Sequence, residues 1–489
     1  MPKCAINQGK YQNILRHLFD SLHKHRVQYN TMKSYGIINF SVLGGGGEVG
    51  ANCFQLACNG TRILLDCGTH PKKEGLACLP DFRLLEKPPD LCLLSHAHMD
   101  HCGALPYLQK CYPGVCSYST IPTRAIADRM MRSSVTVMEM LARERQIYDY
   151  PLYDHSDVSL AVRLLNGVPY NIPVEIGNGT PIELRFINAG HVLGGASILL
   201  KFPGHTVFYT GDISHRRQFL IGSRERLDET ERIDTLIVES TLGATEEPES
   251  SSYQSEADRL AEAIRDVLRQ GGSALLPCFA LGRTQEMINV ICHLQRNNKL
   301  PRVPIYSIGL GRAIYQIYDR YSDYLHPESS LTPLDHTVQL KNVWEKGLVQ
   351  KLLLKPSIII ATSGMMTENT PSALLAQSMV TQSHHGIFFV GYLDPETLGY
   401  RLLHCKPGEA LQFSFSAPPV EVILENIRQF RFSAHASRRY LLQMIERLNP
   451  KNVVYVHGDP DALVWMESNS TNKALSFIPE TGHEFVLEA

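Results

Sequence analysis

His96-Ala97-His98-Met99-Asp100-His101 sets three imidazoles and one carboxylate side by side, directly after the apolar run that ends at Ser95. A turn at a strand end can aim His96 and His98 at one metal ion and Asp100 and His101 at a second. Neutral imidazoles and carboxylates are donors that zinc accepts, and a water shared by two such ions ionises near neutral pH. This block cannot close two coordination spheres alone, so further donors are expected where other apolar strands end. His191 follows Phe186-Ile187-Asn188-Ala189-Gly190, Asp212 follows Val207-Phe208-Tyr209-Thr210-Gly211, and Asp66 closes Ile63-Leu64-Leu65. Taken one at a time, each reads as a turn residue, since Asp beside Gly is ordinary turn chemistry.

Together and in this order, a strand-end Asp, H-x-H-x-D-H, a His and an Asp resemble the metallo-β-lactamase superfamily. The resemblance implies that His96, His98 and His191 bind one zinc, Asp100 and His101 a second, and Asp212 bridges them. Asp66 would orient the cluster from behind the ligands, a role whose loss weakens metal binding or activity. Three more segments are similar to the motifs that β-CASP nucleases add to this fold. They are Val238-Glu239-Ser240-Thr241-Leu242-Gly243, Phe432-Ser433-Ala434-His435-Ala436 and Val456-His457-Gly458. The stretch Pro277 to Glu286 and Ser363-Gly364-Met365-Met366 also look like β-CASP segments. The likeness covers about residues 38–460 and extends to the branch holding the nuclease subunit of the cleavage and polyadenylation specificity factor and its prokaryotic relatives.

That branch implies roles for the added motifs. His435, oriented by Glu239, would be the general acid that protonates the leaving 3′ oxygen, and His457 would complete the second zinc site. RNA-processing members carry His at the third motif where DNA-repair members tend to carry Val, so His457 favours RNA. Two positions depart from the pattern. Ser437 stands where the family often has Asp, and Thr367-Glu368-Asn369 lacks the Gly of many relatives.

The elements that must carry these residues follow from periodicity. Short strands are expected at 39–43, 52–58, 62–66, 90–95, 183–188, 197–202, 206–210 and 235–239, with a helix-rich stretch from 103 to about 148. Beyond a polar stretch at 241–253 the rhythm becomes helix–strand, and the strands at 274–279, 303–307, 358–362 and 387–392 are near-continuous apolar runs. Such runs suit a parallel sheet covered on both faces. A helix at 438–448, a strand at 453–457 and a terminal hairpin close the chain. The expected fold class is α/β: an αββα metallo-β-lactamase sandwich interrupted by an inserted, doubly wound α/β β-CASP domain. The expected limits are a basic extension over 1–35, the sandwich over 36–242 and 426–489, and the insertion over 243–425.

Two decoys need separating from this set. Gly45-Gly46-Gly47-Glu48-Val49-Gly50 matches G-x-G-x-x-G, but an alternating strand follows where a dinucleotide site needs a helix, so a Gly-rich hairpin is expected. Arg283, after Gly282 at a helix start, could meet a phosphate or form a surface salt bridge.

The 489 residues carry a net charge of −2, which excludes a protein that coats nucleic acid by bulk basicity. Residues 1–35 hold six Lys and Arg against Asp20 alone, with a helix-spaced stripe of Ile14, Leu15, Leu18, Phe19 and Leu22. The body is therefore acidic, and RNA binding must rest on a local cleft and its metals. The 12 Cys form no C-x-x-C and are expected to be reduced thiols of a cytoplasmic protein. No apolar run is long enough for a transmembrane helix, so no membrane partner is expected.

The expected function is a zinc-dependent ribonuclease with two Zn2+ per chain, acting on single-stranded RNA in processing or decay. Subunits of an RNA-processing complex are candidate partners, and a homodimer stays open. Two rivals are a catalytically silent nuclease-like scaffold and a small-molecule hydrolase of the same superfamily. The complete ligand set argues against the first. The second would leave the insertion and the Glu239/His435 pair without a purpose.

Overall fold

The computed structural model describes residues 37–177, 181–246, 252–414 and 417–488. The basic extension and its apolar stripe lie outside the described residues.

β1 (Ile38–Gly44), β2 (Cys53–Cys58), β3 (Thr61–Leu65), β4 (Leu91–Leu93), β5 (Cys116–Thr120) and β6 (Leu165–Val168) lie side by side in a first sheet. β7 (Val174–Ile176), β8 (Ile182–Asn188), β9 (Ala196–Phe202), β10 (His205–Tyr209) and β11 (Thr235–Glu239) do the same in a second. Asn59 and Gly60, both left-handed, make the two-residue turn that joins β2 to β3 in strict antiparallel register. Phe40, Phe54 and Leu56 of the first sheet meet Phe186, Ile198, Leu200 and Val207 of the second in one buried core. Cys53 and Cys58 point to opposite faces of β2, one into this core and one into the next layer, as their spacing requires.

The outer layers are helical. After the single turn α1 (Met99–Cys102), α2 (Leu105–Cys111), α3 (Ile121–Arg145) and α4 (His155–Leu164) cover the first sheet, burying Leu108, Ile126, Met131, Val135 and Val158. The Gly-rich segment after β1 is the turn of an antiparallel hairpin with β2, as expected, so no dinucleotide fingerprint exists there.

The insertion opens with α5 (Tyr253–Arg269), capped by the Ser252 side chain, which accepts from Ser255 N–H, and followed by left-handed Gly271. Its sheet holds β12 (Ala274–Pro277), β13 (Ile305–Ile308), β14 (Val338–Gln339), β15 (Ile358–Ala361), β16 (Gly386–Phe389) and, past a small ribbon of β17 (Ala410–Leu411) and β18 (Val420–Glu421), β19 (Ile427–Gln429). Every pairing in the six-stranded sheet is parallel. α5 and α6 (Arg283–Arg296) cover one face. α8 (Leu348–Leu353), α9 (Pro371–Met379) and α10 (Leu398–His404) cover the other, which is the doubly wound arrangement expected. α7 (Leu310–Arg320) sends Ile314 and Tyr318 into the core beside α3, tying the insertion to the sandwich.

The chain then returns. α11 (Arg438–Leu448) and α12 (Pro460–Asn469) bury Leu441, Met444, Leu463 and Met466 against the second sheet, which completes the αββα layering. β20 (Asn452–Val456) runs parallel to β11. The last two strands, β21 (Leu475–Phe477) and β22 (Glu484–Leu487), are not the hairpin that their spacing suggests. β21 pairs in parallel with β20 in the second sheet, while β22 pairs antiparallel with β1 in the first. The turn at 479–482 thus carries the chain between the two sheets, and each strand caps an edge that would otherwise stand open.

Candidate metal centre

β3, β4, β8, β10, β11 and β20 all end at one place, and each delivers a polar side chain there. Close packing of these ends explains some local sequence. A Cβ on Gly211, whose φ is +51°, would lie 2.7 Å from the Ser95 Cβ, so the turn that presents Asp212 needs glycine. Asp66 and His457 themselves hold left-handed backbone, φ 61° and 50°, a strained state that persists where neighbours over-determine it.

Two ligand sets form. His96 Nε2 and His191 Nε2 lie 2.9 and 3.2 Å from His98 Nδ1, and each is 3.6 Å from Asp212 Oδ2. On the other side, His457 Nε2 is 3.3 Å from both Asp100 Oδ2 and His101 Nε2. His101 Nε2 is 3.5 Å from Asp212 Oδ1. Asp212 therefore turns one oxygen to each set. All seven predicted ligands are brought together, five of them buried and His98 and Asp100 half-buried.

The residues fit a pair of metal ions. Four imidazoles have a partner for the nitrogen that points away from the cluster. His101 Nδ1 donates to Asp66 Oδ2 at 2.8 Å, and His191 Nδ1 to the Ala434 carbonyl at 2.9 Å. His98 Nε2 lies 3.5 Å from the Leu281 carbonyl. Ser95 Oγ gives its single proton to Asp66 Oδ2 at 2.7 Å, so at 3.0 Å it accepts from His96 Nδ1. With the outer nitrogens protonated, the inner ones of His96, His98 and His191 turn lone pairs on one point. Asp212 Oδ1, fully buried, has no hydrogen-bond partner. A bound divalent cation would satisfy such a convergence of acceptors.

Charge states agree. Burial, helped by neighbouring imidazoles, pushes His96 and His191 well below the usual imidazole range, and burial lowers His98. Burial opposes ionisation of Asp212, but His457, His101 and His96 hold it well below the usual carboxylate range. Asp100 is lowered in the same way by His101 and His457. For His101, burial is outweighed by Asp212, Asp100 and Asp66, which push it up to about 10. Those carboxylates draw a positive charge into the pocket, and a divalent cation would take that place and release the proton.

Comparison with known proteins agrees with this geometry. Residues 55–242 match the family profile of a Metallo-beta-lactamase superfamily domain, 284–402 that of a Beta-Casp domain, and 419–471 that of a Zn-dependent metallo-hydrolase RNA specificity domain. The chain belongs to the metallo-β-lactamase superfamily and carries its Beta-Casp insertion. It is 29% identical to the Cleavage and polyadenylation specificity factor subunit 3 of Dictyostelium discoideum, over 91% of this chain and 58% of that protein. Against Endoribonuclease YSH1 of Candida glabrata it is 30% identical, over 90% of this chain and 57% of that one. An RNase J-like protein of Methanocaldococcus jannaschii is 29% identical over 85% of this chain and 91% of its own length. The chain thus spans less than two thirds of the first two. A crystal structure of a protein of unknown function from Enterococcus faecalis V583 shares the fold, with a TM-score of 0.56 at 16% identity over 92% of this chain and the whole of that one.

The Beta-Casp insertion reaches the metal centre directly. Leu281 touches His98, and Arg283 is neither a phosphate contact nor a surface salt bridge: its side chain is buried. Arg283 Nη1 donates to the Phe432 carbonyl at 2.9 Å and Nη2 donates to Gln218 Oε1. Gln218 Nε2 in turn donates to the carbonyls of Gly190 and His191, both at 2.8 Å. One arginine thereby ties the insertion to the His435 segment and to a ligand loop. Beside the ligands, His435 Nδ1 is 2.9 Å from Glu239 Oε2, and its ring stands 4.7 Å from that of His191. The two departures from the family pattern have local roles: Ser437 caps α11 by accepting from Tyr440 N–H, while Glu368 and Asn369 contact Arg145 and Glu144 at the end of α3. Ser95, Tyr209 and Gln218 were not foreseen. A serine, a tyrosine and a glutamine in or beside strands carry no signal without the fold.

Proposed function

We propose that this chain is a zinc-dependent ribonuclease that hydrolyses phosphodiester bonds of single-stranded RNA. The observation that carries this reading is the His435–Glu239 pair at the edge of the ligand cluster. It adds a proton donor to a centre whose donors suit two zinc ions, one with His96, His98, His191 and Asp212, the other with Asp100, His101, His457 and Asp212. Zinc bound there would supply Lewis acidity to phosphate oxygens and a water activated at neutral pH.

The chain's own groups manage the proton on the leaving side. Burial disfavours the His435 imidazolium, but the Glu239 charge and hydrogen bond, with Asp212 and Asp100, push it up to about 9. Glu239 is fixed in turn, since its Oε1 accepts from Ile213 N–H at 2.6 Å. With Nδ1–H committed to Glu239, Nε2–H is the proton that His435 can give to a leaving 3′ oxygen.

RNA as substrate is supported by the RNA specificity profile over residues 419–471, which spans His435 and His457, and by relatives named as ribonucleases. The relative named as a subunit of the cleavage and polyadenylation specificity factor supports work beside other RNA-processing subunits. The described cysteines are all free, which suits a reducing compartment such as the cytoplasm. No helix among the described residues is long and apolar enough to cross a membrane.

The test is incubation of the zinc-loaded chain with end-labelled and circular single-stranded RNA, duplex DNA and a small ester, with and without chelator. Chelator-sensitive RNA cleavage is expected, and loss of circular RNA would show internal cutting. A zinc-loaded protein that spares every RNA while hydrolysing DNA or the ester overturns the reading.

A further inference from the structure

Each imidazole of the cluster except His457 has been given an outer partner above. The partner of His457 is Thr241, whose hydroxyl lies 2.9 Å from His457 Nδ1 and 2.7 Å from Glu239 Oε2. A hydroxyl has one proton. The Glu239 carboxylate is the nearer acceptor, and it serves as an acceptor toward its other neighbours too, taking Ile213 N–H at 2.6 Å and facing His435 Nδ1 at 2.9 Å. Thr241 therefore donates to Glu239, and its lone pair must accept from His457 Nδ1–H.

That assignment decides the state of His457. Its proton sits on Nδ1, and Nε2 is left with a lone pair facing Asp100 Oδ2 and His101 Nε2, both 3.3 Å away. The competing neighbour, Asp212 Oδ1, is 3.3 Å from Nδ1 but makes no hydrogen bond with it, so Thr241 alone holds the ring from that side. Ser240 N–H donates to the His457 carbonyl at 3.2 Å, which helps hold a residue whose backbone is left-handed.

We infer that Thr241 is a positioning residue shared by the two halves of the centre: one hydroxyl orients Glu239 behind His435 and fixes the tautomer in which His457 can bind a metal ion. The inference rests on the proposed function for its kinetic part only. Its metal part stands on geometry. Ser95 does the equivalent for Asp66 and His96 on the other side, so each half has a hydroxyl between a carboxylate and a ligand histidine.

The test compares wild type, Thr241→Val, Thr241→Ala and Thr241→Ser in zinc titrations by calorimetry and in single-turnover RNA cleavage. Val keeps the shape and removes the hydroxyl; Ser keeps the hydroxyl; Ala reports if Val does not fold. Losing such an outer partner is expected to weaken one of two zinc affinities about 10–100-fold, leaving the other near wild type. The cleavage rate should fall with KM little changed, and Ser should restore both. If Val and Ala bind two zincs as wild type does, or if Ser is as defective as Val, the inference is overturned. If wild type binds zinc but cuts no RNA while Val still loses one site, the ribonuclease reading fails and the role of Thr241 stands.

Discussion

Asp66 Oδ2 accepts a hydrogen bond from His101 Nδ1 at 2.8 Å, with both side chains wholly buried. The same carboxylate also accepts from Ser95 N–H at 2.7 Å, Ser95 Oγ at 2.7 Å and Tyr209 OH at 2.6 Å. It touches no substrate space, yet through His101 directly and Ser95 indirectly it sets two ligand imidazoles. Asp66→Asn turns an NH2 group on donors that need an acceptor. It should weaken zinc binding by about 10–100-fold. Each buried group left unpaired costs about 1–3 kcal/mol, so the melting temperature should fall too. Zinc titration and calorimetry check both. Unchanged zinc affinity would reduce Asp66 to a purely structural residue.

His435 should behave in the opposite way. It belongs to neither ligand set and keeps Nε2 free of Glu239. His435→Ala should lower the RNA cleavage rate by about 10²–10⁴-fold, the usual worth of a positioned general acid, with zinc content unchanged. Metal analysis beside single-turnover kinetics separates this from Asp212→Ala, which should lose metal and activity together.

Much of this centre was legible because its residues mark strand ends. His96, His98, Asp100 and His101 lie within six residues, so the cluster announces itself. His191, Asp212 and His457 could be paired with it only through the order of family motifs, since each is an ordinary turn residue by local chemistry. Thr241 lies within a motif but its role is hidden in the sequence, because only the fold brings it to His457 across more than two hundred residues. Arg283 was misplaced for the same reason: a helix-start arginine looks exposed until the Phe432 segment is laid over it. The β21–β22 error has a different origin. A turn with Gly between two short strands predicts a hairpin, but open edges of two separate sheets compete for those strands and win.

Metal should also stabilise the fold. The ligands come from both the stretch before the insertion and the return after it, since His457 closes a set begun by Asp100 and His101. An ion that binds only the folded state adds stability by mass action, about 2.7 kcal/mol at a hundredfold excess over Kd. Zinc added to chelated protein should therefore raise the melting temperature, and Asp212→Ala should abolish most of the rise. A wild-type melting curve indifferent to zinc would count against the metal assignment.

A pH dependence follows from a histidine far from the metal. His385, wholly buried at the start of β16, accepts at Nδ1 from Ser273 N–H at 3.0 Å beside β12. It must be neutral to accept. Burial, aided by the neighbouring His384, pushes it down from 6.5 to about 4. Between these values the unfolded chain binds a proton that the folded chain refuses, so stability is complete above 6.5 and falls as pH drops toward 4. At pH 5 the loss from this residue is up to about 2 kcal/mol. Burial lowers His96, His98 and His191 in the same direction, so wild type alone cannot isolate it. His385→Asn offers an amide oxygen near the place of Nδ1 and does not titrate. Urea unfolding of chelated wild type and variant at pH 7.5 and 5 should show a difference in stability that shifts by that amount in favour of the variant at pH 5. A difference that stays constant between the two pH values would show that His385 is not held neutral by its burial.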